Sequence, residues 1–284
     1  IRGRKDIEDN LSAPFLGDIP QYSGEKQQGS FVVRENGRDP VSEAFRMIRS
    51  NMNFMNLGKD EIKVIMVTSS NPHAGKTFVS TNLAMTFATT GKKVVIMDLD
   101  LRRRTFSKQM GHGGNTNGVS SYQSGSTELQ AIIRKSKLSE KLDIIYAGIQ
   151  PPNPSEMLLS QRMEELIAEL KLHYDYIIID STPAMAVADA IITDRLADLS
   201  IYVVREGLLD RRQLPDIERL YREKKFHNMA IILNGASSTK RHGYGYGYGY
   251  GYGYRYGLDE EETATKKGFW GKLCEWTRNK FQKK

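Results

Sequence analysis

Lys76 and Thr77 follow Gly75 in the run SSNPHAGKTF (69–78), behind the apolar stretch IKVIMVT (62–68) and ahead of a helix-patterned stretch over 76–90. A strand, a loop of small residues and a helix opening on Gly-Lys-Thr make an anion cradle. Backbone N–H groups curl around phosphate oxygens, and the helix N-terminus adds the positive end of its dipole. In such a cradle Lys76 would reach the β- and γ-phosphates and the Thr77 hydroxyl would bind Mg²⁺. Ser70, Asn71, Pro72, His73, Ala74, Gly75, Lys76, Thr77 and Phe78 form the candidate phosphate-binding segment, which departs from the usual pattern at Ser70, where glycine is the rule. His73 is read as solvent-exposed rather than as a nucleophile or ligand, and the other histidines show no metal-ligand spacing.

Two further stretches place carboxylates where such a site needs them. VVIMDLDLRR (94–103) ends an apolar run with Asp98 and Asp100, put on one face by the strand period of two, with Arg102 just beyond. YIIIDSTPA (176–184) ends another apolar run with Asp180. A single aspartate at a strand end reads as a helix cap. In a doubly wound sheet, however, the C-terminal strand ends gather at one edge, where ligands bind. Lys76, Thr77, Asp98, Asp100 and Asp180 are therefore expected to converge on one Mg²⁺–nucleotide.

The elements that must hold these residues alternate along the chain. Apolar, often β-branched runs at 62–68, 93–100, 142–147, 174–180, 200–204 and 229–234 read as buried strands, and 76–90, 156–171, 187–197 and 213–225 read as helices between them. A helix with apolar residues at Ala44, Met47, Ile48, Met52 and Met55 precedes the first strand. The fold class is α/β: a doubly wound, mainly parallel sheet covered on both faces, with a P-loop NTPase-like core and a flexible C-terminal tyrosine tail. The chain divides into a polar, loop-like linker (1–40), the α/β domain (41–236) and an appended tail (237–284). GHGGNTNG (111–118) superficially resembles a dinucleotide fingerprint, but it is read as following no strand and opening no helix, and is set aside.

Composition narrows the classes. The net charge of +7 is uneven, since residues 263–284 hold seven Lys/Arg against one Glu. The remainder is close to neutral, which argues against a nucleic-acid partner. One cysteine, Cys274, admits no intramolecular disulfide framework and suits a reducing compartment. No apolar run approaches the ~20 residues of a membrane helix. The opening residue is Ile1, so the chain is read as a piece of something longer, with membrane segments expected upstream.

GYGYGYGYGYGYRYG (243–257) raises a separate question, because its seven tyrosines (Tyr244, Tyr246, Tyr248, Tyr250, Tyr252, Tyr254 and Tyr256) have no apolar alternation to bury them. A strand would put all seven on one face and almost nothing but glycine on the other. The segment reads as exposed and flexible, either a sticky linker or a set of available phenols. Beyond it, Trp270, Leu273, Cys274, Thr277 and Phe281 fall at helical spacing among lysines and arginines, the pattern of a basic amphipathic helix suited to an anionic membrane surface.

Taken together, these motifs resemble the bacterial tyrosine kinases that control capsule and exopolysaccharide export, relatives of the MinD/ParA deviant P-loop ATPases. SSNPHAGKT is similar to their Walker A, IMDLDLRR to their second Walker motif, IIIDSTP to their Walker B, and EAFRMIR to their ExxRxxR helix through Glu43, Arg46 and Arg49. The Gly/Tyr run corresponds to their C-terminal tyrosine cluster. Asn71 stands where MinD/ParA proteins usually carry a lysine, which favours the kinase over a partitioning ATPase.

The resemblance implies an ATP- and Mg²⁺-dependent protein tyrosine autokinase. In it Asp98 is the base for the tyrosine hydroxyl, Asp100 and Asp180 hold Mg²⁺ largely through water, Arg102 orients Asp98, touches phosphate or simply forms a surface salt bridge, and Asn234 contacts adenine. It also implies that the seven tyrosines accept phosphate, and that Glu43, Arg46 and Arg49 close a ring of identical subunits by heterologous contacts. The implied setting is the cytoplasmic face of the bacterial inner membrane, with a transmembrane adaptor (upstream or separate), the polysaccharide export machinery and a cognate phosphatase as partners. A partitioning-type ATPase and a non-catalytic, nucleotide-gated scaffold are the alternative readings.

Overall fold

The structure is a computed structural model that describes residues 1–24, 30–55, 61–113 and 117–237. Its eight strands are β1 (Phe15–Pro20), β2 (Val64–Ser69), β3 (Val94–Asp98), β4 (Ile133–Lys135), β5 (Leu142–Ile145), β6 (Tyr176–Asp180), β7 (Leu199–Arg205) and β8 (Met229–Ala236). Its helices are α1 (Arg4–Glu8), α2 (Pro40–Met55), α3 (Lys76–Ala88), α4 (Thr105–Gln109), α5 (Val119–Gln123), α6 (Leu129–Ile132), α7 (Pro154–Leu159), α8 (Gln161–His173), α9 (Asp189–Asp194) and α10 (Leu214–Arg222).

The strands form one sheet in the order β1-β8-β7-β2-β6-β3-β5-β4, parallel except for the edge pair β4–β5. Outside the irregular edge strand β1, strand residues alternate between the two faces. Val64, Met66, Ile177 and Ile179 enter the apolar cluster beneath α8 and α10, whereas Ile65, Val67 and Ile178 enter the one beneath α2 and α3. Burial on both faces explains why these strands read as unbroken apolar runs. It is the doubly wound arrangement expected from the sequence.

The order reverses around β2. The carboxylate-bearing strands β6 and β3 lie on one side of it, and β7 and β8 on the other. Such a switch point opens a crevice at the C-terminal strand ends. The helix α3 that leaves β2 is wrapped on every side, with each residue from Val79 to Ala88 buried. Inside that wrapping Asn82 accepts the N–H groups of Val32 (2.7 Å) and Val33 (2.9 Å) and donates to the Ser30 carbonyl (3.0 Å). A buried amide with these partners staples the preceding segment onto the phosphate-loop helix.

Two sequence expectations are corrected, and one strand is added. Residues 1–40 are not a loop-like linker: β1 pairs in parallel with β8, and Phe31, Val32 and Val33 are core residues. The segment is polar on average because its apolar residues are few, most of them spent inward. The edge strand β4 was not foreseen; with only three residues, it carries no pattern a period could reveal. Finally, GHGGNTNG does precede a helix, since Gly118 stands immediately before α5, packed so closely that a Cβ there would meet the Tyr146 carbonyl at 2.3 Å.

Candidate active site

The loop between β2 and α3 is fixed by a glycine that nothing else could replace. Gly75 has φ +96°, and a Cβ on it would lie 2.0 Å from Asn234 Nδ2. That amide donates to the Ala74 carbonyl at 2.8 Å, clamping the loop from β8. His73 also takes a positive φ of 65° and is exposed, as expected. Pro72, His73, Gly75, Lys76, Thr77 and Phe78 line a cavity of about 350 Å³ together with Asp100, Asp180 and Asn234. Ser70, Asn71 and Ala74 do not line it. The Ser70 hydroxyl is buried against Tyr202 Oη (3.0 Å), and the Asn71 amide donates to Gln213 Oε1 (3.0 Å). A side chain at position 70 is therefore tolerated because it points into a polar niche beneath the loop.

Thr77 and Asp180 meet at the foot of the cradle, where Thr77 Oγ1 donates to Asp180 Oδ2 at 2.7 Å. Asp180 Oδ1 is buried without a hydrogen-bond partner. Burial pushes the Asp180 carboxyl up to about 6, against the pull of Lys76 and the Thr77 hydroxyl. Lys76 is lowered by its own desolvation, offset by Asp180 and Asp100, with Arg103 adding to the lowering. An orphaned carboxylate oxygen, a second cavity-lining carboxylate in Asp100 and a hydroxyl make an all-oxygen donor set. That set fits Mg²⁺, which takes one or two carboxylates and completes its shell from water and phosphate. Among the described residues no cluster of three or more His, Cys, Asp or Glu could hold a metal by itself.

Asp98 and Asp100 are not on one face. The strand ends at Asp98, so the period of two does not carry to Asp100. Asp98 is fully buried and in register with Asp180 across β3–β6. Its Oδ1 accepts the Asp100 N–H (3.1 Å), and its Oδ2 accepts the N–H (3.0 Å) and hydroxyl (2.6 Å) of Ser107. Burial first, then the Asp180 charge, raise its carboxyl to about 8, opposed by the Ser107 bonds. Of the pair, Asp100 faces the cavity and Asp98 lies behind it.

Arg102 neither orients Asp98 nor lines the cavity. Its Nε donates to Asp189 Oδ2 (2.6 Å) and its Nη2 to Asp189 Oδ1 (3.1 Å) and Ser155 Oγ (2.9 Å), because a buried carboxylate at the start of α9 offers a better partner. Along α2, Arg46 pairs with Glu43 and donates to the Gly37 carbonyl, and Arg49 donates to the Thr86 carbonyl at 2.8 Å near the end of α3. Both arginines thus hold their own subunit together. Tyr244, Tyr246, Tyr248, Tyr250, Tyr252, Tyr254 and Tyr256, and the amphipathic stretch 266–284, lie outside the described residues.

Sequence reasoning missed Ser107, Arg103 and Arg205. Ser107 also accepts the Ala147 N–H (3.0 Å), and Arg103 and Arg205 line the cavity. Ser107 has no motif around it. Arg103 was visible only as one of three consecutive arginines, and Arg205 only as a charge after an apolar run.

A parallel switch-point sheet, a glycine-clamped loop opening a helix, and carboxylates on the neighbouring strand ends define a P-loop nucleotide-binding protein. Residues 62–204 match the family described as an AAA domain. The tyrosine-protein kinase YwqD of Bacillus subtilis (strain 168) is 34% identical over 221 residues, covering 78% of this chain and 92% of YwqD. The tyrosine-protein kinase etk of Escherichia coli (strain K12) is 35% identical over 205 residues, covering 72% of this chain but only 28% of etk. The solved kinase domain of the Escherichia coli tyrosine kinase ETK superposes with a TM-score of 0.73 at 31% identity, covering 88% of this chain and all of that domain. The chain belongs to the bacterial tyrosine-protein kinase family. Among its described residues no helix is long and apolar enough to cross a membrane.

Proposed function

We propose that this chain is a Mg²⁺- and ATP-dependent tyrosine autokinase that phosphorylates its own tyrosine cluster at 243–257, acting in trans within a ring of identical subunits. The observation that carries the reading is the convergence of Lys76, Thr77, Asp100 and Asp180 on one cavity, in a chain that also carries seven closely spaced tyrosines. Membership of the kinase family supports the same reaction.

The loop N–H groups and Lys76 would hold the β- and γ-phosphates and neutralise charge gathering on the departing ADP. Thr77, Asp100 and Asp180 would hold Mg²⁺, which, when bound, screens charge on the phosphates. Phosphoryl transfer forms a bond from the tyrosine Oη to the γ-phosphorus and breaks the bond to the β–γ bridging oxygen. Asp98 would take the phenol proton; for that its carboxyl, raised to about 8 and turned to Ser107 behind the cavity wall, must ionise and swing toward the acceptor. Because phosphoryl transfer rests chiefly on positioning and charge stabilisation, the base need only be modest.

Phosphates on several tyrosines, each carrying about −1.5 to −2, would repel one another and the bound nucleotide, and so drive tails off their neighbours and loosen the ring. The physiological reading is control of capsule or exopolysaccharide export at the cytoplasmic face of the inner membrane, alongside a transmembrane adaptor and a cognate phosphatase. Incubating the chain with Mg²⁺ and ATP and taking its intact mass tests the reaction, since steps of about 80 Da confined to the 243–257 peptide are expected. Absence of phosphotyrosine, or equal labelling of Lys76→Met alone, would overturn it. Mixing Lys76→Met with a chain lacking 243–257 tests the trans route: phosphate must appear on the inactive chain's tail.

A further inference from the structure

On the side of β2 opposite the Asp180 strand stands an arginine to which the phosphate reading gives no task. Arg205 ends β7, in register with Asn234 of β8, and lines the cavity. Its carbonyl accepts from the N–H groups of Leu208 (3.3 Å) and Leu209 (3.2 Å), so the backbone beneath it is anchored. Its guanidinium makes no ion pair among the described residues: the adjacent acid, Glu206, instead takes the N–H (2.9 Å) and hydroxyl (2.8 Å) of Ser237.

Glycines flank the guanidinium. A Cβ on Gly75 would lie 3.8 Å from Nη1, and one on Gly235 3.8 Å from Cζ and Nε. With neither side chain present, the planar group lies close against two stretches of bare backbone and keeps access to the cavity. Sheet order says which part of a ligand it would meet. Phosphates anchored at the end of β2 have the Asp180 strand β6 on one side and β7 on the other. Arg205 is thus two strand spacings from Asp180, on the order of 10 Å, in the direction of β8. The phosphate end already has Lys76 and the N-terminus of α3.

We infer that Arg205 is a nucleoside-binding residue, its guanidinium face carrying the purine ring beside Asn234. This rests on the reading that a nucleotide fills the cavity. A guanidinium suits the task because it is planar and weakly hydrated, so it lies flat on a ring with more contact than a compact, strongly hydrated ammonium.

The experiment measures the affinity of the full chain for Mg·ADP and, separately, for Mg·tripolyphosphate, by calorimetry. Arg205→Ala is expected to weaken ADP binding roughly tenfold and leave tripolyphosphate unchanged. Arg205→Lys, which keeps the charge and lacks the plane, is expected to weaken ADP nearly as much. A parallel loss of tripolyphosphate affinity would make Arg205 a phosphate ligand and overturn the inference. So would unchanged ADP affinity in either variant. Wild-type chain that binds neither compound would remove the nucleotide reading itself, a result distinct from wild-type binding that is insensitive to Arg205.

Discussion

Thr77 Oγ1 donates to Asp180 Oδ2 at 2.7 Å, joining two residues 103 positions apart in the chain. The bond ties the first turn of α3 to the end of β6 and leaves Asp180 Oδ1 buried and unpartnered. Thr77→Ala would leave the whole carboxylate unsatisfied. We expect a loss of about 1–3 kcal/mol in urea unfolding and a large loss of Mg²⁺-dependent phosphorylation. Thr77→Ser, which keeps the hydroxyl, should retain most of both. Equal behaviour of the two variants would show that the hydroxyl is not what matters.

Lys76→Met should abolish phosphorylation of the tyrosine cluster while leaving the thermal melt close to wild type, because a partly desolvated ammonium is replaced by an apolar chain of similar reach. Asp98→Asn should also silence transfer but still bind ADP, since Asp98 lies behind the cavity wall and its proposed task is at the acceptor. Full transfer in Asp98→Asn would remove it from the base role.

Ser107 bridges Asp98 on β3 and the Ala147 N–H beyond β5. Ser107→Ala would leave that N–H and the carboxylate short of partners inside the fold. We expect a loss of about 1–3 kcal/mol by chemical denaturation, a cost Ser107→Thr should largely avoid if its methyl is accommodated.

Asp189 is held below the ordinary carboxylate range: burial pushes it up, but hydrogen bonds from Arg102 and Ser155 and the Arg102 charge outweigh that. A depressed folded-state value stabilises above the ordinary carboxylate pKa and is lost as pH falls through the folded value. Arg102→Met should therefore destabilise by about 1–3 kcal/mol at neutral pH, discounted for the exposed guanidinium. The penalty should shrink as pH falls below the ordinary carboxylate range and Asp189 protonates. A penalty independent of pH in urea melts would deny the pairing its role.

Replacing Glu43, Arg46 and Arg49 together by alanine should leave a monomer in light scattering if these residues close a ring. Arg49 also holds the Thr86 carbonyl of its own subunit, so the triple variant should melt lower as well. Glu43→Ala alone spares that bond, and it should weaken assembly with little thermal cost. An unchanged oligomer in both variants would sink the ring contact.

Much of the architecture was legible in the residues. Strands buried on both faces must be apolar at every position, so β2, β3, β6, β7 and β8 announced themselves as runs; Gly75-Lys76-Thr77 and the terminal aspartates marked the ends where a ligand could bind. These readings are local: which segments are strands, which loop cradles an anion, and which side chains could share a metal. Which partners they meet is set by the packing of the whole domain. It brought Phe15–Pro20 into the sheet beside β8, turned Asp98 inward to Ser107 while Asp100 faced the cavity, drew Arg102 to Asp189, and set Arg205 beside Asn234. These outcomes depend on strand order and on where each strand stops. Both are set by long-range packing between segments up to some two hundred residues apart, and no short-range period in a chain can encode them.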